Sequence, residues 1–444
     1  MNTRHIVVFG IFFVFHSVNY AAVTFEQIKN RQIVQFELVD IMLDLSEQQN
    51  IDLLTTWIEL SPKSFHKLNF SKAYLDAANR MMTRNLTNQS LVLYIKSYQS
   101  IDKETVIKVE AAYKASFFLY AQKKRSEALF YINRSIEELA KLKGNHILSK
   151  DIFYLKRRVV WRYFSRLEFL PDNAISALEF DGDDVWIGMW SGAVARFSRS
   201  MFQLDIFNTR NTKLPSNYAR DILVKNNKVW IATHSGLGYY DKSDSQWYSV
   251  PAMKNNKLKT ISHDGVYYYV STLFKGVFRS KDGISWENII PYHSVLDILH
   301  VDGDLYIATP EKGVLVYRNG KTESFLPKIS AKTIIRDTDP DILWIGTYGQ
   351  GLLKIHKTTG KILKEYRKTE IKSDYIESLL LMDDKLWVGT LSSGVSIFDM
   401  KKKKWTYFGL SDGLPGLDIT TITRENDHIW FGTLAGGIGI YLFQ

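Results

Sequence analysis

Four charged side chains stand at matching offsets from a short motif that recurs along the chain. Arg220, Lys259, Lys332 and Glu377 each fall ten residues before a motif aromatic, with an insertion allowed for in the case of Lys332. Trp190, His234, Phe274 and Tyr348 lie in the loops that follow the same aromatics. Basic groups among exposed aromatics suit a sugar or an anionic group, through ring stacking and charge-assisted hydrogen bonds. These eight residues are the ligand-binding candidates. The plainer reading makes them rim residues, with charges solvated and aromatics covering repeat edges.

The motif first reads Trp186-Ile187-Gly188-Met189 followed by Gly192, and then Trp230-Ile231-Ala232-Thr233 followed by Gly236. It returns at Tyr269, Tyr306, Trp344, Trp387 and Trp430, with Gly276, Gly313, Gly351, Gly394 and Gly437 as the following glycines. Seven copies spaced 37 to 44 residues apart have the period of a four-stranded propeller blade. An apolar anchor lies eight residues before the aromatic in six copies (Leu178, Ile222, Ile261, Ile298, Leu379 and Ile422) and marks the inner strand. In the fifth copy the anchor is Ile334, displaced by an insertion around Asp339-Pro340. The aromatic and the small residue two places on share one face of the second strand. The aromatic then fills the wedge between blades, and Gly or Ala allows the next blade to press close. In such a blade the start of the inner strand and the loop after the second strand lie at one end of the ring, which gathers the eight candidates there. The last copy stops after its third strand. Residues Phe164–Phe169 read as its missing outer strand, which closes the ring and removes an open edge.

The copies resemble the two-component regulator propeller repeat, in which an apolar-Trp-Ile-Gly-Thr stretch is followed by Gly and an apolar strand. Trp344–Leu352, Trp387–Val395 and Trp430–Ile438 carry the resemblance best, whereas the copies at Tyr269 and Tyr306 use Tyr, Ser and Ala. The resemblance implies a periplasmic sensor-type module that binds carbohydrate-type ligands. With no transmembrane helix, kinase or DNA-binding region expected after Gln444, only a binding role is expected to carry over.

Residues 23–163 have a different texture. Glycine and proline are nearly absent there, and apolar residues recur at helical spacing, as in Ile28, Phe36, Val39 and Met42. Six or seven helices are expected. Ala115-Ser116, Leu119, Ala128, Ile132 and Ser135 resemble one degenerate tetratricopeptide unit, whose small residues let two antiparallel helices approach. Before them, Arg4 and His5 precede the apolar run Ile6 to Phe15, and Ala21-Ala22 follows, so residues 1–22 read as a signal peptide. That run is shorter than the roughly 20 apolar residues of a membrane span. A periplasmic or secreted location is expected, with an uncleaved N-terminal anchor as the alternative. The fold class is a helical hairpin array (23–163) followed by a seven-bladed β-propeller (164–444).

Other chemistry finds no residues. The chain has no cysteine, which excludes disulfides and thiolate metal sites, and its ten histidines form no His-Glu-x-x-His or His-x-His pair. Gly320-Lys321-Thr322 lacks the earlier glycine of a phosphate loop, since position 315 is Leu. Ser191, Ser235 and Ser393 precede glycines without forming a nucleophile elbow. Asp181-Gly182-Asp183-Asp184 reads as a hairpin turn. Ser280-Lys281-Asp282-Gly283-Ile284-Ser285-Trp286 resembles the Asp-box of sialidase-type propellers, a structural hairpin. The net charge of +10 is spread along the surface, and its one dense run, Lys401–Lys404, falls at an expected turn. The expectation is a non-enzymatic binding or scaffold protein with no metal, no cofactor and no nucleic acid. Its partner is a protein, a membrane receptor among the candidates, or a carbohydrate-type ligand. A glycan-acting hydrolase or lyase using the central face is the alternative.

Overall fold

A computed structural model describes residues 69–442 apart from 84–85, 101–104, 143–145, 166–169, 202 and 292. The leader read at 1–22 and the helical stripe from Ile28 to Met42 lie outside the described residues. The chain divides into two compact units, Met1–Val160 and Trp161–Gln444.

In the first unit the described helices are Phe70–Thr83, Thr87–Gln99, Thr105–Ala121, Arg125–Leu139 and Ser149–Val160. The tetratricopeptide-like positions do what small residues at such a spacing allow. Ala115, Ser116, Ala128, Ile132 and Ser135 are all fully buried. Ser116 Oγ donates to the Ala128 carbonyl at 2.8 Å, and Ser135 Oγ donates to the Val109 carbonyl at 2.8 Å. Those two cross-helix bonds hold the hairpin antiparallel and satisfy hydroxyls that would otherwise be costly to bury.

The second unit is a seven-bladed β-propeller of antiparallel four-stranded sheets. The first six blades use four consecutive strands each, beginning with Ile175–Asp181 and ending with Lys404–Phe408. The seventh joins Ile419–Glu425, His428–Thr433 and Ile438–Leu442 to Trp161–Phe164 from the start of the ring. The pairing runs from Trp161 opposite Tyr441 to Phe164 opposite Ile438. The closing strand therefore lies earlier than the expected 164–169, of which 166–169 are not described. Its register is set by Trp161, which is 2% exposed and meets Phe408, Phe431 and Tyr441 at centroid distances of 5.9, 5.5 and 5.1 Å.

Each motif aromatic wedges into the following blade. Trp186 packs with Ala219, Ile222 and Val229 of the second blade, Trp344 with Ile376, Leu379 and Val388 of the sixth, and Trp430 with Ile175, Leu178 and Val185 of the first. The small residue two places on is required by the same contact. A Cβ on Gly346 would lie 2.6 Å from Ile376 Cγ2, and one on Gly432 would lie 2.8 Å from Ile175 Cγ2. The insertion in the fifth blade lengthens only the turn between Ala331–Arg336 and Ile342–Thr347. Around the Asp-box, Asp282 Oδ1 accepts from the Ile284 and Ser285 amides at 2.8 Å, so it shapes a hairpin between the third and outer strands of its blade.

The motif threonine has a specific task. In six blades its hydroxyl donates to the carbonyl of the motif glycine, as from Thr390 to Gly394 at 2.8 Å. In five of these the glycine adopts a left-handed φ of 71 to 79°, and in the second blade Gly236 has φ 142°. The first blade departs from the expected pattern. Met189 replaces the threonine, and the left-handed residue is Ala193 (φ 71°) rather than Gly192, as the Met189 amide bond to the Ala193 carbonyl shows. An L-residue is strained there. Ala193→Gly should therefore raise stability by about 0.5–1 kcal/mol, measurable as a shift in denaturant midpoint at unchanged slope.

Candidate functional site

The seven inner strands enclose a channel with a cavity volume of about 230 Å³. At its rim each blade supplies one residue, ten before its aromatic or twelve in the fifth blade: in ring order Ser176, Arg220, Lys259, Leu296, Lys332, Glu377 and Thr420, all of which line the cavity. Arg220, Lys259, Lys332 and Glu377 are thus brought together as expected from their spacing.

Their pairing is uneven. Lys332 Nζ lies 2.8 Å from Glu377 Oε2, and the Tyr348 hydroxyl donates to the other Glu377 oxygen. Burial alone would push the Lys332 ammonium down, but Glu377 and Tyr348 carry it above the ordinary lysine value. Arg220 has no such carboxylate. Its guanidinium sits 4.0 Å from the centroid of the Trp190 ring, its buried Nε has no hydrogen-bond partner, and burial lowers its pKa. Lys259 makes no ion pair or hydrogen bond among the described residues. Burial, then the neighbouring Lys332 and Arg220 charges, bring its ammonium down to about 7.

One residue further along, the inner strands carry a different tier, which the sequence reading missed. Asp221 Oδ2 accepts from the Ile261 amide of the next blade at 2.9 Å. Asp297 Oδ2 accepts from the Ile334 amide and the Thr333 hydroxyl of the next blade, both at 2.9 Å. Ser378 Oγ donates to the Ile419 carbonyl at 3.0 Å. On the rim tier, Ser176 Oγ donates to the Ala219 carbonyl at 2.9 Å and Thr420 Oγ1 to the Ile175 carbonyl at 2.6 Å. These bonds staple one blade to the next. Burial raises the carboxyls: Asp221 to about 7, and Glu179, with Asp221 beside it, to about 7. The alternation of polar residues on these strands was the only sequence signal for this tier, and alternation alone does not separate a staple from a solvated face.

The loops after the second strands form a collar at the same end. Trp190, His234, Leu273, Tyr348, Leu391 and Leu434 donate their amides to Ala174, Tyr218, Lys257, Ser330, Tyr375 and Asp418, at 2.8 to 3.0 Å, each acceptor two residues before a rim position. Pro310, with no amide proton, holds the corresponding position in the fourth blade. The expected Phe274 is one residue beyond its collar position, which belongs to Leu273. Phe274 is 66% exposed, with Lys257 Nζ 5.3 Å from its ring centroid. His234 lies against Tyr218 at 6.0 Å between ring centroids, and burial, Lys257 and Arg220 hold it below the ordinary histidine range. Trp190, Leu391 and Leu434 are 37 to 39% exposed, so the collar presents apolar surface.

Ser262 Oγ lies 2.9 Å from His300 Nε2. The nearby Asp264 carboxylate is taken up by the Val266 and Tyr267 amides and the Tyr269 hydroxyl rather than by the imidazole, so the orienting member of a hydrolase triad is missing from its place.

No protein-family model matches the chain, and no curated protein matches it. Among solved structures, it is similar to the extracellular domain of BT3049, named as a hybrid two component system, from B. thetaiotaomicron, with 19% identity and a TM-score of 0.55. That alignment covers 64% of this chain but 41% of the other, so this chain spans about two fifths of its length. It is similar to YCF48 bound to D1 peptide (11% identity, TM-score 0.52, 64% and 97% of the two chains). It is also similar to the WD40 beta propeller domain of Doa1 (13% identity, TM-score 0.50, 61% and 93%). The likeness is one of fold, that of a β-propeller.

Proposed function

We propose that this chain is an exported, non-enzymatic binding module that holds its ligand or protein partner at the collar and rim of the propeller channel. The observation that carries the reading is the meeting, at one end of the ring, of apolar collar residues with cations that lack carboxylate partners. Two features support export: the apolar run of residues 6–15 and the extracellular setting of the similar BT3049 domain. The similar YCF48 structure holds a peptide, which places a polypeptide beside a glycan among the ligands to be tried.

A panel of peptides, oligosaccharides and peptidoglycan fragments, titrated onto the full chain beside a turnover assay, tests the reading. The collar variant Trp190→Ala with Leu391→Ala should bind the selected ligand at least tenfold more weakly, the order expected for loss of two apolar contacts. Both residues are partly exposed, so the melting temperature should move little. Undiminished affinity in the folded variant, or turnover of any panel member, sinks the reading.

A further inference from the structure

The strand order explains why two cations are left without a partner. Around the rim Lys332 has Glu377 beside it, whereas Arg220 stands between Ser176 and Lys259, and Lys259 between Arg220 and Leu296. The acids around them are engaged elsewhere: Glu377 pairs with Lys332, and Asp221 and Asp297 each give one oxygen to an amide of the next blade and the other to the amide that follows them in the chain. Buried polar groups normally find partners. A guanidinium with an unbonded, buried Nε beside an unpaired ammonium is therefore an arrangement that costs stability and lacks a counterion.

We infer that the channel rim is an anion site, in which the Arg220 fork and the Lys259 ammonium hold one oxyanion group (carboxylate, sulfate or phosphate) at the end of a ligand whose body rests on the collar. The inference rests on reading this face as a binding surface. The stacked Trp190 ring fixes the plane of the guanidinium, which leaves its outer edge pre-organised for a two-point contact with an oxyanion. The narrow cavity admits a terminal group rather than a folded surface.

The groups facing Lys259 are Arg220 and Asp221 of the second blade, Asp297 of the fourth, Lys332 of the fifth and Glu377 of the sixth, with His234 beside Arg220 and Lys257 beside His234. Lys259 is near half-protonated at neutral pH, and a bound oxyanion favours its charged form. Binding should therefore take up a proton and tighten as pH falls through 7. Protonation of Asp221 and Glu179 in the same window removes negative charge and acts in the same direction.

Calorimetric titration of the full chain with sodium acetate and sodium sulfate, neither of which titrates near neutrality, tests this, with inorganic phosphate as a third probe. Runs in two buffers of different ionisation enthalpy, at pH 6.5 and at pH 8.5, read the proton count. Saturable binding of at least one anion is expected at pH 6.5, weaker at pH 8.5, and about tenfold weaker in Arg220→Met. Lys259→Met should reduce proton uptake to the share carried by Asp221 and Glu179, and leave the melting temperature unchanged or higher, because it removes a charge that the free channel cannot pair. The absence of saturable binding for all three anions, or equal affinity in folded Arg220→Met, overturns the inference. So does a fall in melting temperature for Lys259→Met, which would mark that cation as structural. If the rim binds no anion while a panel ligand still depends on the collar, the anion site fails and the proposed function stands.

Discussion

A chain that begins at Asn173 should be markedly less stable and less soluble than one that begins at Arg158. The shorter chain lacks Trp161–Phe164, so the strand Ile438–Leu442 loses its antiparallel partner and the seventh blade presents an open edge. The loss goes beyond four residues of ladder. Trp161 fills the space between the sixth and seventh blades so closely that a Cβ on Gly413 would fall 2.4 Å from its indole ring, and the Tyr163 hydroxyl donates to the Gly413 carbonyl at 2.9 Å. Removing one buried tryptophan costs about 3–5 kcal/mol, a large part of the 5–15 kcal/mol that holds a typical domain folded. Trp161→Ala in the full chain isolates that share and should lower stability by about 3–5 kcal/mol in urea denaturation. Equal melting temperatures and solubilities for the two truncated chains would show that the ring does not depend on this strand.

The propeller was legible because a blade's chemistry is local. Aromatic, small residue, threonine and glycine lie within a few positions of one another, and the repetition of that group across the chain discloses the architecture. What depends on distant pairing was not legible to the residue. The closing strand pairs Trp161 with Tyr441, and no turn signal links segments so far apart, so its start was misplaced. Gly192 is the glycine that follows the first motif, yet the hydrogen bonds put the left-handed position of that blade at Ala193. Counting back from the aromatics found Arg220, Lys259, Lys332 and Glu377 on one rim. It could not show that Lys332 alone among the three cations has the acid beside it, which is a property of blade order around the ring. Asp221 and Asp297 escaped for the same reason, since their partners lie on the neighbouring strand.

Trp344→Ala should destabilise the fold by about 3–5 kcal/mol, because the ring is fully buried against Ile376, Leu379 and Val388 of the next blade. A more discriminating comparison replaces only the indole by a smaller ring. Trp344 Nε1 donates to Asp337 Oδ2 at 2.6 Å, and Asp337 is itself 5% exposed, on the turn lengthened by the insertion. Trp186 occupies the equivalent wedge with its Nε1 buried and without a hydrogen-bond partner. Both Phe variants lose similar apolar contact, but only Trp344→Phe deprives Oδ2 of a buried carboxylate of its donor, leaving the Thr338 hydroxyl and the Asp339 amide on Oδ1 and Lys354 Nζ 3.8 Å away. A lost charge-assisted bond in the interior costs about 1.5–3 kcal/mol beyond the packing term. Trp344→Phe should therefore be the more destabilising of the two by about that amount, read from denaturant midpoints at equal slope. Equal losses would mean that Asp337 is satisfied without the indole. If Trp344→Ala keeps the wild-type melting temperature and loses only ligand binding, the motif aromatics are a ligand surface and not the wedge between blades.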